Sequence, residues 1–211
     1  MSRVSTVCGA LLVVIGCGNV ESTPADAPAA SNDAPGASDA PPSDAPVTPD
    51  APGVSHRIFI TRASFNGNLG GIAGADAKCQ AVAEARGFGG LWRAFLSTTN
   101  VFARDRLPAI GRFVRVTGEV VANSREDMLD GSLIVPVLYD ETGLEITPNR
   151  AWTGSAANGT VIAGNNCDDW TLGTTTTTPG LIGDATSASG QWINLQNSGC
   201  GGMQRLYCYE E

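Results

Sequence analysis

The stretch Asn166-Cys167-Asp168-Asp169-Trp170 decides the fold, because it places a cysteine three residues before a tryptophan. Outward from it, further cysteines and tryptophans lie on both sides: Cys79, Trp152, Trp192, Cys200 and Cys208. Cysteines interspersed with tryptophans predict a disulfide framework around one aromatic core. Such a framework is typical of an exported domain and favours a disulfide-crosslinked binding module over an enzyme.

The N-terminal segment has the form of a secretory signal peptide, with Arg3 followed by an apolar run over residues 7–15. The run ends at Gly16-Cys17 and resembles the bacterial lipobox, in which a cysteine is lipidated and becomes the new N-terminus. We therefore predict a signal peptide over residues 1–16 and lipidation of Cys17. The alternative is an ordinary cleaved signal that contains Cys17. The run is far shorter than the roughly 20 apolar residues that span a bilayer.

Removal of the signal peptide would discard Cys8 and leave four cysteines in an oxidising compartment: Cys79, Cys167, Cys200 and Cys208. Four cysteines permit three pairings, and their positions alone do not select one.

Residues 17–53 predict a disordered stalk that follows the lipid anchor. The tripeptide Asp-Ala-Pro occurs five times in this segment, with no aromatic residue, so the segment cannot bury a core. Proline and the mutual repulsion of the aspartates favour an extended chain. The alternatives are a proline-rich docking ligand or an acidic cation-binding tract, although the acids are spread singly.

The charge distribution argues against nucleic-acid binding. Six of the 21 acidic residues precede residue 54, which leaves 15 acids against 12 bases in the rest of the chain. A nucleic-acid-binding domain usually carries a clustered basic surface. One basic cluster exists, and we interpret it as a solvated face rather than an anion site. Its members are Arg104, Arg106, Arg112 and Arg115.

Residues 54–211 are long enough for one globular domain with a sizeable core. An alanine-rich segment predicts a helix over 73–86, with Cys79 facing inward and Gly87 at the stop. Strands are predicted at 57–61, 91–96, 113–116, 119–122, 133–138, 191–195 and 205–209. Long loops rich in Gly, Asn, Thr and Ser are predicted at 156–166 and 173–190.

Six ordered blocks carry a family resemblance: GGIAGADAKC at 70–79, WRAFLS at 92–97, WTGS at 152–155, NG at 158–159, CDDW at 167–170 and LYC at 206–208. Together they resemble the endostatin domain of collagens, and more closely an uncharacterised family of bacterial secreted lipoproteins that shares its C-type-lectin-like fold. The resemblance implies an α+β, endostatin-like domain with mixed antiparallel strands, one or two helices, long loops and two nested disulfides.

The same resemblance implies specific roles for the cysteines and tryptophans. Cys79 would pair with Cys208, and Cys167 with Cys200. The tryptophans would be mostly core residues, with an aromatic platform for sugar as the rival interpretation. They are Trp92, Trp152, Trp170 and Trp192.

Departures from these relatives remove some of their functions. Where endostatin domains use arginines to bind heparin, this chain has Gly70, Ala73 and Thr171, so heparin binding is not expected. Their zinc site uses several histidines, whereas this chain has only His56. Calcium remains an option, since it is bound by six to eight loop oxygens. The candidate calcium ligands are Asn165, Asn166, Asp168, Asp169 and Asp184. The alternative interpretation is that these residues only cap turns in the loop.

No catalytic residue is predicted, because nucleophile elbows, zinc-protease helices and phosphate loops are missing from the sequence. We expect a lipid-anchored module of the cell envelope, at the outer membrane or cell surface, that recognises an extracellular glycan or protein. It would contact the membrane through its anchor only. The alternatives are a structural envelope component and a polysaccharide-acting enzyme using Asp168 or Asp169.

Overall fold

A computed structural model describes residues 53–211. The predicted signal peptide over residues 1–16, the lipidation site Cys17 and the stalk up to residue 52 lie outside the described residues.

The described part of the chain contains eight strands and a few helices, so the domain is α+β. The strands are β1 (Ser55–Ile60), β2 (Trp92–Ala94), β3 (Arg112–Arg115), β4 (Val120–Ala122), β5 (Arg150–Trp152), β6 (Pro179–Asp184), β7 (Gln196–Gly199) and β8 (Arg205–Glu210). The helices are α1 (Gly71–Ala85), the one-turn α2 (Ala103–Arg106) and α3 (Arg125–Met128), and a 3-10 helix (Gly190–Trp192). A further helical segment, Cys167–Trp170, is left-handed and is described below.

The strands form one mixed sheet in the order β4-β3-β1-β8-β5-β6-β7. The β1–β3 and β5–β8 pairs are parallel, and the other pairs are antiparallel. β8 lies at the centre, with β1 on one edge. On the other edge of β8, β5 pairs with the first residues of β8 and β2 pairs with the last residues of β8.

Both faces of the central strands are buried. Ile58 and Ile60 of β1 belong to one hydrophobic cluster, and Phe59 belongs to the other. β8 divides in the same way, with Tyr207 and Tyr209 on the first side. Alternate residues of a strand point to opposite faces, so a strand covered on both sides needs a continuous apolar run. This explains the runs IFI in β1 and LYCY in β8.

The helix α1 packs on this sheet through Ala75, Cys79 and Ala83, which are fully buried. It ends before Gly87, as predicted, and the Phe88 N–H closes the last turn on the Ala83 carbonyl at 2.9 Å.

Two disulfides link the elements. Cys79 of α1 is bonded to Cys208 of β8, and Cys167 is bonded to Cys200, the two pairs that the resemblance implies.

Some predicted strands are wrong. Residues 133–138 form no strand, and residues 191–195 overlap the 3-10 helix instead of forming a strand. β5 was not predicted, and β6 lies inside a segment predicted to be loop. The polar edge strand β7, Gln-Asn-Ser-Gly, has no apolar alternation that could reveal it.

Candidate functional site

The most unusual backbone in the described residues is the left-handed turn Cys167–Trp170. Its four residues have φ values of 51°, 54°, 50° and 66°. The Trp170 N–H donates to the Asn166 carbonyl at 2.8 Å, and the Leu172 N–H donates to the Cys167 carbonyl at 3.0 Å. Left-handed helical geometry costs about 1–2 kcal/mol for each residue other than glycine. Four consecutive residues of this kind persist only where their surroundings determine the conformation.

Covalent and aromatic contacts hold both ends of this turn. Cys167 is tied to Cys200, and its sulfur lies against Gly180, where an added Cβ would come within 2.6 Å of it. At the other end Trp170 is fully buried, its indole N–H donates to the Ser97 carbonyl at 2.8 Å, and its ring lies 5.8 Å from that of Trp152. The ends of the turn therefore belong to the core.

A polar clamp adds to this support. The Asn166 side-chain oxygen accepts from the Asp169 N–H at 3.3 Å, and its amide group donates to Asp169 Oδ1 at 2.6 Å. Asp169 Oδ1 also accepts from the N–H and hydroxyl of Thr99, at 2.7 and 2.9 Å. Two of the calcium candidates, Asn166 and Asp169, are therefore hydrogen-bonded to each other, and Asp169 is also hydrogen-bonded to the loop at Thr99. This is the turn-capping role that was the alternative to calcium binding.

The remaining calcium candidates are dispersed. Asp168 is exposed at the outer side of the turn, and Asn165 is half-buried beside it. Asp184 lies on β6, where it accepts from Thr186. Asn166 pairs with Gly180 at the beginning of β6. Asp184 lies four residues further along this strand, ~13 Å from Gly180 at the usual rise per residue. The five residues do not converge on one point, and residues 53–211 contain no group of three or more His, Cys, Asp or Glu arranged to hold a metal ion.

The predicted arginine face is only partly correct. The Arg104 side chain is 49 % exposed, but those of Arg106 and Arg115 are only 7 % and 8 % exposed. Arg106 forms an ion pair with Asp76 at 2.6 Å and donates to the Ala94 carbonyl at 2.7 Å. It joins α1, α2 and β2 and is a structural residue rather than a member of a solvated face.

The tryptophan prediction has a clear outcome. All four side chains are fully buried: Trp92, Trp152, Trp170 and Trp192. The rival interpretation of an exposed aromatic platform for sugar is therefore wrong. Trp92 stacks near Phe88, and Arg57 lies 4.7 Å from the centre of the Phe88 ring.

His56 also has a structural position. Its Nε2 lies 2.9 Å from the Ile110 carbonyl oxygen, and its ring packs 5.7 Å from that of Phe113. This places it at the start of β1, beside β3.

Two surface clefts were not predicted. One, of about 180 Å³, is lined by Arg104, Arg125, Glu126, Leu129 and Asn158. The other, of about 290 Å³, is lined by Arg86, Phe88, Val116, Thr117, Glu141, Thr142 and Gly143. Each combines residues from several separate segments, so no local motif could have revealed it.

Two comparisons with known proteins were without a match. No protein-family model matches the chain, and no curated protein matches its sequence. Among residues 53–211, none of the helices has the length and apolar character needed to cross a membrane.

Proposed function

We propose that residues 54–211 form a non-catalytic binding module that recognises an extracellular glycan or protein through the loop region, residues 153–200. The observation that supports this most is the left-handed turn, which holds Asp168 exposed on a costly backbone. Strained backbone of this kind clusters at ligand-binding sites, where it places a residue in its binding position before the ligand arrives. The backbone that carries the Asp168 carboxylate is already ordered, so binding would cost little backbone freedom.

We also propose that the fold is C-type-lectin-like and of the endostatin-like type. Three features support it: the antiparallel pairing of β1 with β8, the disulfide from α1 to β8, and the second disulfide inside the loop region. A shared fold carries no function by itself. The support for ligand recognition therefore comes from the turn.

The module would be attached to the bacterial envelope, at the outer membrane or cell surface, by a lipid on Cys17 and held away from it by residues 17–53. The signal-like start and the Gly16-Cys17 pair support this. Replacing Cys17 with Ser should abolish metabolic labelling with palmitate and release the protein from the membrane fraction. Unchanged labelling would contradict the anchor.

A glycan array together with a pull-down from extracellular material tests the recognition proposal, using the oxidised full-length protein. Asp168→Asn keeps a residue that tolerates left-handed backbone but removes the exposed charge. Its matched control is Glu145→Gln, which removes one charge from an exposed position of another loop. We expect D168N to weaken binding about tenfold or more and E145Q to leave it unchanged. Repeating the measurement with a chelator tests whether calcium takes part.

The two alternatives predict different outcomes. An empty array and an empty pull-down would overturn recognition and favour a structural component, whose deletion alters envelope integrity. Polysaccharide turnover that is lost in D168N or D169N would favour an enzyme. The three hydrogen bonds from Thr99 and Asn166 all end on Asp169 Oδ1, which gives this carboxylate a structural role in the turn.

A further inference from the structure

The cleft of about 180 Å³ lies where the loop region meets α2 and α3. Arg104 comes from α2, Arg125 and Glu126 come from α3, and Asn158 comes from the loop region. A cleft of this size is below the roughly 300 Å³ of a typical site for a drug-sized ligand. It suits one sugar residue or one terminal group of a larger ligand.

One wall of this cleft is fixed by backbone contacts. The turn that carries Asn158 is docked on α2, because the Arg104 N–H donates to the Gly159 carbonyl at 3.1 Å. Gly159 has a φ of 76°, and a Cβ at this position would approach the Cβ of Arg104 to 2.9 Å. Only glycine fits this contact, so the distance between the loop and the helix is set by the backbone.

Asn158 is oriented as a hydrogen-bond donor. Its side-chain oxygen accepts from the N–H and the hydroxyl of Thr160, at 3.2 and 2.8 Å. No hydrogen bond within residues 53–211 uses the side-chain nitrogen of Asn158 as a donor. The Asn158 amide group is therefore available to a ligand.

Both arginines of the cleft are held only in weak surface ion pairs, which a ligand anion could replace. Arg104 lies 3.8 Å from Asp105, and Arg125 lies 3.3 Å from Glu126, with both arginines at least 32 % exposed. Exposed pairs of this kind are weak and exchange readily. The lining of the cleft contains two arginines and one carboxylate, Glu126. Guanidinium groups bind carboxylates with two parallel hydrogen bonds.

We propose that this cleft binds the carboxylate of an acidic sugar, a uronic acid residue within the ligand of the loop region. This rests on the proposed function and narrows its ligand class. Arg104 and Arg125 contact the carboxylate, the Asn158 amide group and the Glu126 carboxylate contact sugar hydroxyls, and Leu129 packs on the C–H face of the ring.

The test is a calorimetric titration of the full-length oxidised protein with oligogalacturonate. Two comparison ligands are titrated in the same way. One is the same oligosaccharide with its carboxyl groups reduced to alcohols, and the other is a sulfated oligosaccharide that contains no uronic acid. We expect binding to oligogalacturonate, at least about tenfold weaker binding to the reduced form, and no preference for the sulfated form. Equal binding to the reduced form, or stronger binding to the sulfated form, would overturn the proposal.

Three variants locate the site. Arg104→Gln and Arg125→Gln should each weaken oligogalacturonate binding about tenfold, with an unchanged melting temperature as the folding control. Arg86→Gln removes the same charge from the other cleft and should bind like the wild type. Loss of binding in R86Q alone would overturn the proposal by moving the site. Glycan or protein binding that survives in R104Q and R125Q would overturn the cleft assignment and leave the proposed function intact. If no ligand binds in any assay, both proposals are overturned.

Discussion

The helix–strand region, made of α1, β2 and β8, and the loop region, residues 153–200, each contain a disulfide but use it differently. In the helix–strand region the backbone follows ordinary preferences, and Cys79–Cys208 joins elements that already pack through Ala75 and Ala83. In the loop region Cys167–Cys200 holds a turn that opposes the intrinsic preference of four residues. A crosslink can thus either add to a conformation that is already favoured or maintain one that is not.

The largest expected effect tests the helix–strand region. The variant Cys79→Ala with Cys208→Ala removes a link across 129 residues, for which loop entropy gives about 5 kcal/mol of unfolding free energy. Urea unfolding should show this as a loss distributed over the whole domain. A loss below about 1 kcal/mol would show that packing alone secures α1.

The second effect tests the loop region. For Cys167→Ala with Cys200→Ala, the separation of 33 residues gives about 4 kcal/mol from loop entropy. We expect a smaller measured loss, because relaxation of the left-handed turn recovers part of its cost. Amide exchange should accelerate around residues 166–172 while α1 remains protected. Uniform acceleration over the domain would show that the two regions do not differ.

The third effect concerns the polar clamp. Asp169→Ala removes the acceptor of three hydrogen bonds, from Asn166 and from two groups of Thr99, and should cost about 2 kcal/mol. Asp168→Ala is the matched control, because it places alanine on the same left-handed backbone at an exposed position. Equal losses in the two variants would mean that the clamp contributes nothing.

The fourth effect is a change of sign between the regions. Asp168→Gly should stabilise the domain by about 1 kcal/mol, because glycine tolerates left-handed backbone. Ala81→Gly, at an exposed position in α1, should destabilise it by about 1 kcal/mol. Thermal melting of both variants checks this, and a loss in D168G would contradict the assigned strain.

The smallest effect is on pH dependence in the helix–strand region. A hydrogen bond from Arg57 holds the pKa of Glu210 below its ordinary value. Its contribution to stability is therefore present above the unfolded-state pKa of about 4.3 and is lost as the pH falls through the lower folded value. Glu210→Gln should be less stable than the wild type at neutral pH, by under about 1 kcal/mol, and the difference should shrink as the pH falls from the unfolded-state pKa through the lower folded one. A difference that is constant with pH would contradict the role of this charge.

Prediction from sequence succeeded where a segment shows its environment locally. β1 and β8 are continuous apolar runs, and α1 has buried residues at helical spacing, so each was predicted near its observed position. Prediction failed for β6 and β7, which are rich in glycine or polar residues and are strands because of their neighbours. Arg106 was assigned to a solvated face because its partner Asp76 lies 30 residues away, on α1.

The sequence by itself determined the central apolar strands, the alanine-rich helix and the presence of a cysteine–tryptophan core. These follow from composition and periodicity, which act over a few residues. Only the tertiary structure decided that Cys167–Trp170 is left-handed, that Asp169 is bound to Thr99, and that Arg104, Arg125 and Asn158 line one cleft. The physical reason is that these arrangements depend on contacts between distant segments, whose energy outweighs the local preference of each residue.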